Sequence, residues 1–376
     1  MVDAEIEEDC FMEKQGVGSK ILDDYNKHQL SLGVFAKRME DLLGSHLLEH
    51  KAIIHSISYR VKESESLETK LIKKNNKYSE LSEITDIIGF RIITYYEDAV
   101  DLVASSIRKI FLVDEVNTID KREAIDPDRF GYLSLHYIVS LNEERCNLPE
   151  YHVFDNFKFE IQIRSILQHT WAEIEHDLGY KSKMDIPRNI QRDFSRLAGL
   201  LELADKEFMS IRDKTEQYKQ AAKTEVESQS PNLLIDTISM RAYMRGNENL
   251  KKLDSLIAQS CKLKLLENSF SIGVAKYLKW LGFKTIKEVD EAIVQNHDLC
   301  IILALSLLKD TGHHSIDTGV GLFYLCYAKL VKERDTGLIV KYLIENSIGG
   351  KYDKDRDTFA NDLISIYTEY ELKNDK

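Results

Sequence analysis

The chain has 376 residues, 43% of them hydrophobic and 30% charged, with a formal net charge of −12. This describes one large or two ordinary globular domains, and it excludes capture of nucleic acid by the molecule as a whole, so any nucleotide site must be a local basic pocket. Five scattered cysteines (Cys10, Cys146, Cys261, Cys300, Cys326) with no CxxC spacing exclude a disulfide framework and a paired-cysteine zinc site.

The acidic start, MVDAEIEEDCF, lacks the apolar core of a secretory signal. Between residues 20 and 57 apolar residues recur at helical spacing (Leu30, Leu32, Phe35, Met39, Leu42, Leu43, Leu47, Leu48), so one or two amphipathic helices lead in. Residues 57–62, ISYRVK, alternate as a strand that puts Arg60 and Lys62 on one side. The helix that follows, SLETKLIKKNNKY, places Lys70, Lys73, Lys74 and Lys77 on one face. From 51 to 77 there are seven Lys or Arg against three Glu, a basic island in an acidic protein.

Residues 84–96, ITDIIGFRIITYY, have the length and β-branched content of a buried strand, with Asp86 at the entry and Arg91 inside. A charge within such a run needs a partner or a ligand, because burying it alone is costly. An Asp86–Arg91 ion pair is the plain alternative, and Gly89 between them suits a bulge or a close backbone approach. A helix over 98–110 returns to the sheet, and a charged connection bearing Lys121, Arg122 and Arg129 follows. The strand 132–141 aligns Tyr132, Ser134 and His136 on one face, a set that could stack on and hydrogen-bond a nucleobase.

Residues 156–181 change period halfway. Phe157, Phe159, Ile161 and Ile163 alternate with Lys158, Glu160, Gln162 and Arg164, a strand with an oily back and a polar front. Helical spacing then gives an apolar stripe of Leu167, Trp171, Ile174 and Leu178, with His169, Glu173 and His176 on another face. That triplet also admits a metal-dependent hydrolase. From 187 the chain reads as helix, with Phe194, Leu197, Leu200, Leu201, Ala204 and Phe208 in one stripe, out to a Ser/Pro-rich link, where a domain boundary is expected near Pro231. Residues 233–371 read as six or so helices without recognisable chemistry. The longest oily run, 299–308, is too short for a bilayer, so a cytoplasmic protein without a membrane partner is expected.

The motifs SYRVKESESLETKL, ITDIIGFRIITY, FGYLSLHY and FEIQIRSILQHTWAEIEHDLGYK stand in the order of the synthetase domain of the Rel/SpoT-type (p)ppGpp synthetase family, which the chain resembles over about residues 45–185. The resemblance implies an α+β fold: a mixed β-sheet flanked by helices, related to nucleotidyltransferases, here followed by an all-α C-terminal domain. The expected segments are a helical lead-in over 1–45, the pyrophosphokinase domain over 46–185, a helical extension over 186–228 and a regulatory domain over 231–376.

It implies transfer of the β,γ-pyrophosphate of ATP to the 3′-hydroxyl of GTP or GDP with Mg2+. Asp86 and Glu160 would be the metal-holding catalytic carboxylates. Arg60, Lys62, Lys70, Arg91, Lys121 and Arg122 would bind ATP, and Tyr132, Ser134, His136, Gln162 and Arg164 the acceptor. The chain departs from the family's pattern before Gly131, where DPDRF replaces a Lys-Pro-Asn common in members acting on free GTP or GDP, and no metal-dependent hydrolase domain precedes the match. Synthesis without hydrolysis is therefore expected. A branch of the same family, which modifies the 3′-CCA end of tRNA and carries a fused antitoxin responsive to phage proteins, offers the alternative: a tRNA acceptor, and a protein trigger or inhibitor acting through the C-terminal half.

Overall fold

A computed structural model of the chain describes residues 2–74, 77–124, 130–131, 133–155, 157–181, 187–228, 230, 232–271, 273–308, 313–348 and 356–374. The chain divides into two compact units, Met1–Ile211 and Arg212–Lys376. Pro231, where the sequence places the boundary, lies outside the described residues.

In the first unit a long helix α1 (Val2–His46) leads into β1 (Ile54–Val61), α2 (Ser64–Lys73), β2 (Ile88–Thr94) and α3 (Ala99–Ile110). Then come β3 (Phe111–Val113), β4 (Ile119–Asp120), a single turn α4 (Lys121–Ala124), β5 (Leu135–Leu141), a second single turn α5 (Glu143–Cys146), β6 (Phe159–Ser165), α6 (Ile166–Lys181) and α7 (Arg188–Glu227). The strands form one mixed sheet in the order β1-β2-β6-β5-β3, with β4 on β5. Only β2 and β6 pair in parallel; the other pairs are antiparallel.

The predicted alternation sets the sheet's two faces. Phe90, Ile92, Phe159, Ile161, Ile163 and Val139 are buried, and they share a core with Phe35, Met39 and Leu43 of α1 and Val103 and Ile107 of α3. Phe159 sits at its centre, with the rings of Phe35, Phe90 and Phe111 edge-on at 5.8, 5.4 and 5.3 Å. The opposite face keeps the polar positions Arg60, Gly89, Arg91, Glu160, Gln162 and His136. Three predicted apolar stripes are only partly covered. Leu30 and Leu48 are exposed, as are Ile174 and Leu178 of α6 and Leu197, Leu200 and Phe208 of α7, whereas Trp171 and Ala198 are buried. Periodicity defines a helix face but not the presence of something to cover it.

The second unit comprises the end of α7, α8 (Thr237–Gly246), α9 (Glu248–Cys261), β7 (Lys264–Phe270), α10 (Val274–Trp280), α11 (Ile286–Leu308), β8 (Ser315–Thr318), α12 (Val320–Val331), α13 (Thr336–Glu345) and α14 (Arg356–Asn374). It is predominantly helical, as expected, but includes a two-stranded parallel pair, β7 and β8, that the sequence reading lacked. Among the described residues α11 alone meets the length and hydropathy of a bilayer span, which the sequence reading, confined to 299–308, did not give it. Its Val289, Ile293, Leu299, Cys300 and Leu303 lie in the core of this unit.

At the junction of β8 and α12 the backbone runs hard against its neighbours. A Cβ on Gly319, whose φ is +90°, would lie 2.4 Å from Met244 Sδ, and one on Gly321 would lie 2.7 Å from Leu253 Cδ2. The two glycine N–H groups donate to the carboxylate of Asp254 on α9, each at 2.7 Å, and that side chain is buried. Burial outweighs these two bonds and pushes the Asp254 carboxyl up to about 6, above the ordinary carboxylate range.

Because the folded value exceeds the unfolded one, this group's stabilisation is full below the unfolded pKa and is lost as pH rises through about 6, a change of about 3 kcal/mol. Hydrogen exchange at the α12 amides is expected to be more protected at about pH 4.5 than at about pH 7, with Asp254→Asn flattening the difference. An unchanged pH slope in that variant would count against Asp254 as its source.

Candidate active site

The polar face takes its geometry from strand register. Arg60 on β1 faces Gly89 on β2, Gly89 faces Glu160 on β6, and Arg91 faces Gln162. His136 on β5 faces Gln162 from the other side. A Cβ on Gly89 would lie 3.8 Å from Arg60 Cγ and Nε. That is ordinary van der Waals distance, so the floor between Arg60 and Glu160 is bare of side chain at Gly89, but no close backbone approach requires the glycine.

Asp86 stands in the turn just before β2. Lys70 Nζ donates to its Oδ1 at 2.6 Å, and Lys62 Nζ lies 3.1 Å from its Oδ2. Burial raises the Asp86 pKa, but the Lys70 bond and the two ammonium charges more than offset this and hold the carboxyl below its ordinary value. The Asp86–Arg91 pair is not formed; Arg91 Nη1 instead lies 3.1 Å from Glu173 Oε1 on α6. Lys62 is fixed through its backbone, whose N–H donates to Ile87 O at 2.8 Å and whose carbonyl accepts from the Tyr25 hydroxyl.

Glu160 is the second carboxylate. His136 Nδ1 lies 2.7 Å from its Oε1, and Gln162 Nε2 donates to its Oε2 at 3.0 Å. Burial raises this pKa too, and the His136 and Gln162 bonds outweigh it to leave it lowered, while the Asp86 charge pushes upward. The two carboxylates thus sense one another, Asp86 from the turn before β2 and Glu160 from the adjoining β6. Lys121 sits within the same field: burial lowers its pKa, Glu160 raises it and Arg164 lowers it.

The other predicted residues fall into distinct places. Arg164 is buried and its Nη2 donates to Glu173 Oε1 at 3.3 Å. Ser134 is also buried and its hydroxyl donates to Ile163 O, so it offers no surface to a ligand. Arg122 is engaged by Asp120 and Asp101 at 2.7 and 2.8 Å, pairs that its loop position did not reveal. Tyr132 and Arg129 lie outside the described residues, and of the lysine face Lys77 falls past the end of α2.

Glu173 joins this polar face as well, with a role the sequence analysis did not assign to it. One of its oxygens is shared by Arg91 and Arg164, with His169 Nδ1 at 3.7 Å. Its place one helical turn beyond His169 was the available signal. This use of Glu173 is at odds with a His169–Glu173–His176 metal centre, and no cluster of three or more His, Cys, Asp or Glu able to hold a metal occurs among the described residues.

Two half-buried carboxylates, one of them held by two lysines, on the polar face of a mixed sheet make a site suited to phosphoryl-group transfer, where charge neutralisation and alignment do most of the work. The comparisons sharpen this. Residues 59–185 match the family model described as a region found in RelA / SpoT proteins. The chain is 30% identical over 167 residues to GTP pyrophosphokinase YwaC of Bacillus subtilis (strain 168), covering 43% of this chain and 75% of that protein. It is 28% identical over 169 residues to GTP pyrophosphokinase YjbM of the same organism, covering 45% and 76%. The crystal structure of small alarmone synthetase 1 from Bacillus subtilis superposes with a TM-score of 0.43 at 24% identity, over 52% of this chain and 99% of that one. The chain belongs to the Rel/SpoT-type GTP pyrophosphokinase family, with an additional, predominantly helical C-terminal region.

Proposed function

We propose that the first unit transfers the β,γ-pyrophosphate of ATP to the 3′-hydroxyl of GTP or GDP. The observation that supports this most is the gathering of Asp86, paired with Lys62 and Lys70 in the turn before β2, and of Glu160 on the adjoining β6 into one electrostatic field that Lys121 shares. In the reaction the 3′-oxygen attacks the β-phosphorus, the bond from that phosphorus to the α,β-bridging oxygen breaks, and AMP leaves. Arg60, Lys62 and Lys70 neutralise the donor's phosphates. Glu160, oriented by His136 and Gln162, aligns the hydroxyl and receives its proton.

The donor set fits Mg2+, which takes one or two carboxylates together with phosphate oxygens and water rather than a full protein cage. Asp86 and Glu160 would hold it, and when bound it supplies charge neutralisation at the phosphates. Arg91, given to ATP by the sequence reading, is assigned instead to the acceptor phosphates because Glu173 holds it beside Gln162, while the buried Arg164 positions Glu173 and does not itself reach a ligand.

Incubation with γ-labelled ATP and either GDP, GTP or deacylated tRNA tests the acceptor. Label is expected on the guanosine nucleotide; label appearing only on the 3′ end of tRNA would replace this acceptor with the tRNA one. Glu173→Gln is expected to raise the acceptor KM about tenfold, with a smaller change in the ATP KM, because the two guanidinium groups lose their shared anchor. Equal changes in both would remove the acceptor assignment of Arg91.

A further inference from the structure

A second concentration of positive charge lies in the second unit, far along the chain from the carboxylates. A cavity of about 710 Å³ opens between the end of α7 and α8. Its walls carry Lys219 and Lys223, one turn apart on α7, and Arg241 and Arg245, one turn apart on α8, with Lys251 of α9 at one end. Residues so spaced on a helix lie about 5–6 Å apart at their Cβ atoms. Val226, Ile238 and Ala242 add apolar lining.

The acids at the site do not balance these cations. Glu216 is engaged by Lys219 at 3.2 Å and by Gln220 at 3.1 Å, Lys251 is paired with Glu248 at 2.9 Å, and Glu227 is the other lining acid. Among the described residues no ion pair joins Lys223, Arg241 or Arg245 to a carboxylate. Arg245 instead lies over the Phe270 ring, 4.9 Å from its centroid, which steadies the guanidinium without cancelling its charge. Lys223 has Glu227 at i+4, yet among the described residues no ion pair joins them, whereas elsewhere on α7 Lys206 pairs with Glu202 at 2.7 Å.

We propose that this cavity binds a compact polyphosphate, a run of consecutive phosphates either free or carried on a nucleoside. Arg241 and Arg245 of α8 and Lys219 and Lys223 of α7 line the same cavity, and guanidinium matches phosphate oxygens two at a time. A concave space of this volume suits a small ligand of high charge density better than an extended chain. The proposal is independent of the pyrophosphotransfer reading, since it uses none of the same residues.

The test is calorimetric titration of the full chain with sodium tripolyphosphate, comparing wild type with R241Q/R245Q. Wild type is expected to show two binding events, one at each cationic site. The double variant should lose one of them or weaken it at least about tenfold, with its melting temperature and basal pyrophosphotransfer unchanged. R241K/R245K, which keeps the charge, should retain that event and so separate charge from folding. A nucleoside triphosphate binding this site more tightly than tripolyphosphate assigns the base a place there; equal affinity makes the phosphate run the whole ligand. Titrations identical in wild type and R241Q/R245Q overturn the proposal. So does an RNA oligonucleotide or an acidic peptide that occupies the cavity more tightly than tripolyphosphate.

Discussion

Glu160→Gln is expected to lower kcat by about three orders of magnitude while the KM for ATP moves by less than about threefold. The substitution keeps the shape, and its amide oxygen can still accept from His136, but the negative charge that shares a field with Asp86 is gone. Arg60, Lys62 and Lys70, assigned to the donor's phosphates, belong to β1, its following residue and α2, and none of them is bonded to Glu160. Donor binding therefore survives when alignment of the 3′-hydroxyl fails.

The fold should tolerate the change. Burial penalises the ionised Glu160, and the bonds that offset this come from His136 and Gln162, so neutralising the side chain removes a cost along with a benefit. Steady-state assays with γ-labelled ATP, together with a thermal melt, check both halves of the expectation. Retention of more than about a tenth of the wild-type kcat by a folded variant would take Glu160 out of the reaction.

Much of this site was visible in the sequence because strands expose their alternation directly. Phe159, Ile161 and Ile163 against Glu160 and Gln162 require only that one face of the strand be covered, and α1 and α3 cover it. The pairing of Asp86 was less visible. Its entry into an apolar run implied a charged partner, and Arg91 was the nearest candidate in sequence. The partners are Lys62 and Lys70, which β1 and α2 bring across from a separate segment. Arg122 shows the converse: a cation in a loop resembles a ligand group until Asp101 on α3 and its own neighbour Asp120 engage it.

The β7–β8 pair escaped notice for a similar reason. Lys264, Glu267 and Asn268 interrupt any apolar alternation in KLLENSF, and its partner SIDT comes from beyond α11. Parallel pairing over such a separation leaves no local sequence signature. Likewise, the exposed Leu200 and Phe208 on α7 cannot be distinguished from core residues by spacing alone.

Asp86→Asn should separate two effects that an ordinary structural lesion would move together. In the protein without ligand, Asp86 neutralises Lys62 and Lys70 at 3.1 and 2.6 Å. An incoming triphosphate must compete with that carboxylate for both ammonium groups. Asparagine ends the competition, so ATP measured without divalent cation is expected to bind about three- to tenfold more tightly, the effect of about 1 kcal/mol of partly screened ion pairing. Turnover should move the other way, falling at least about a hundredfold at ordinary Mg2+ concentrations, because one of only two carboxylates available to the ion has lost its charge. Raising Mg2+ should recover part of that loss. ATP affinity by calorimetry in chelator, set beside kcat across a magnesium titration, gives both signs in one variant. If affinity and turnover fall together, Asp86 is a brace for the two lysines rather than a holder of the ion.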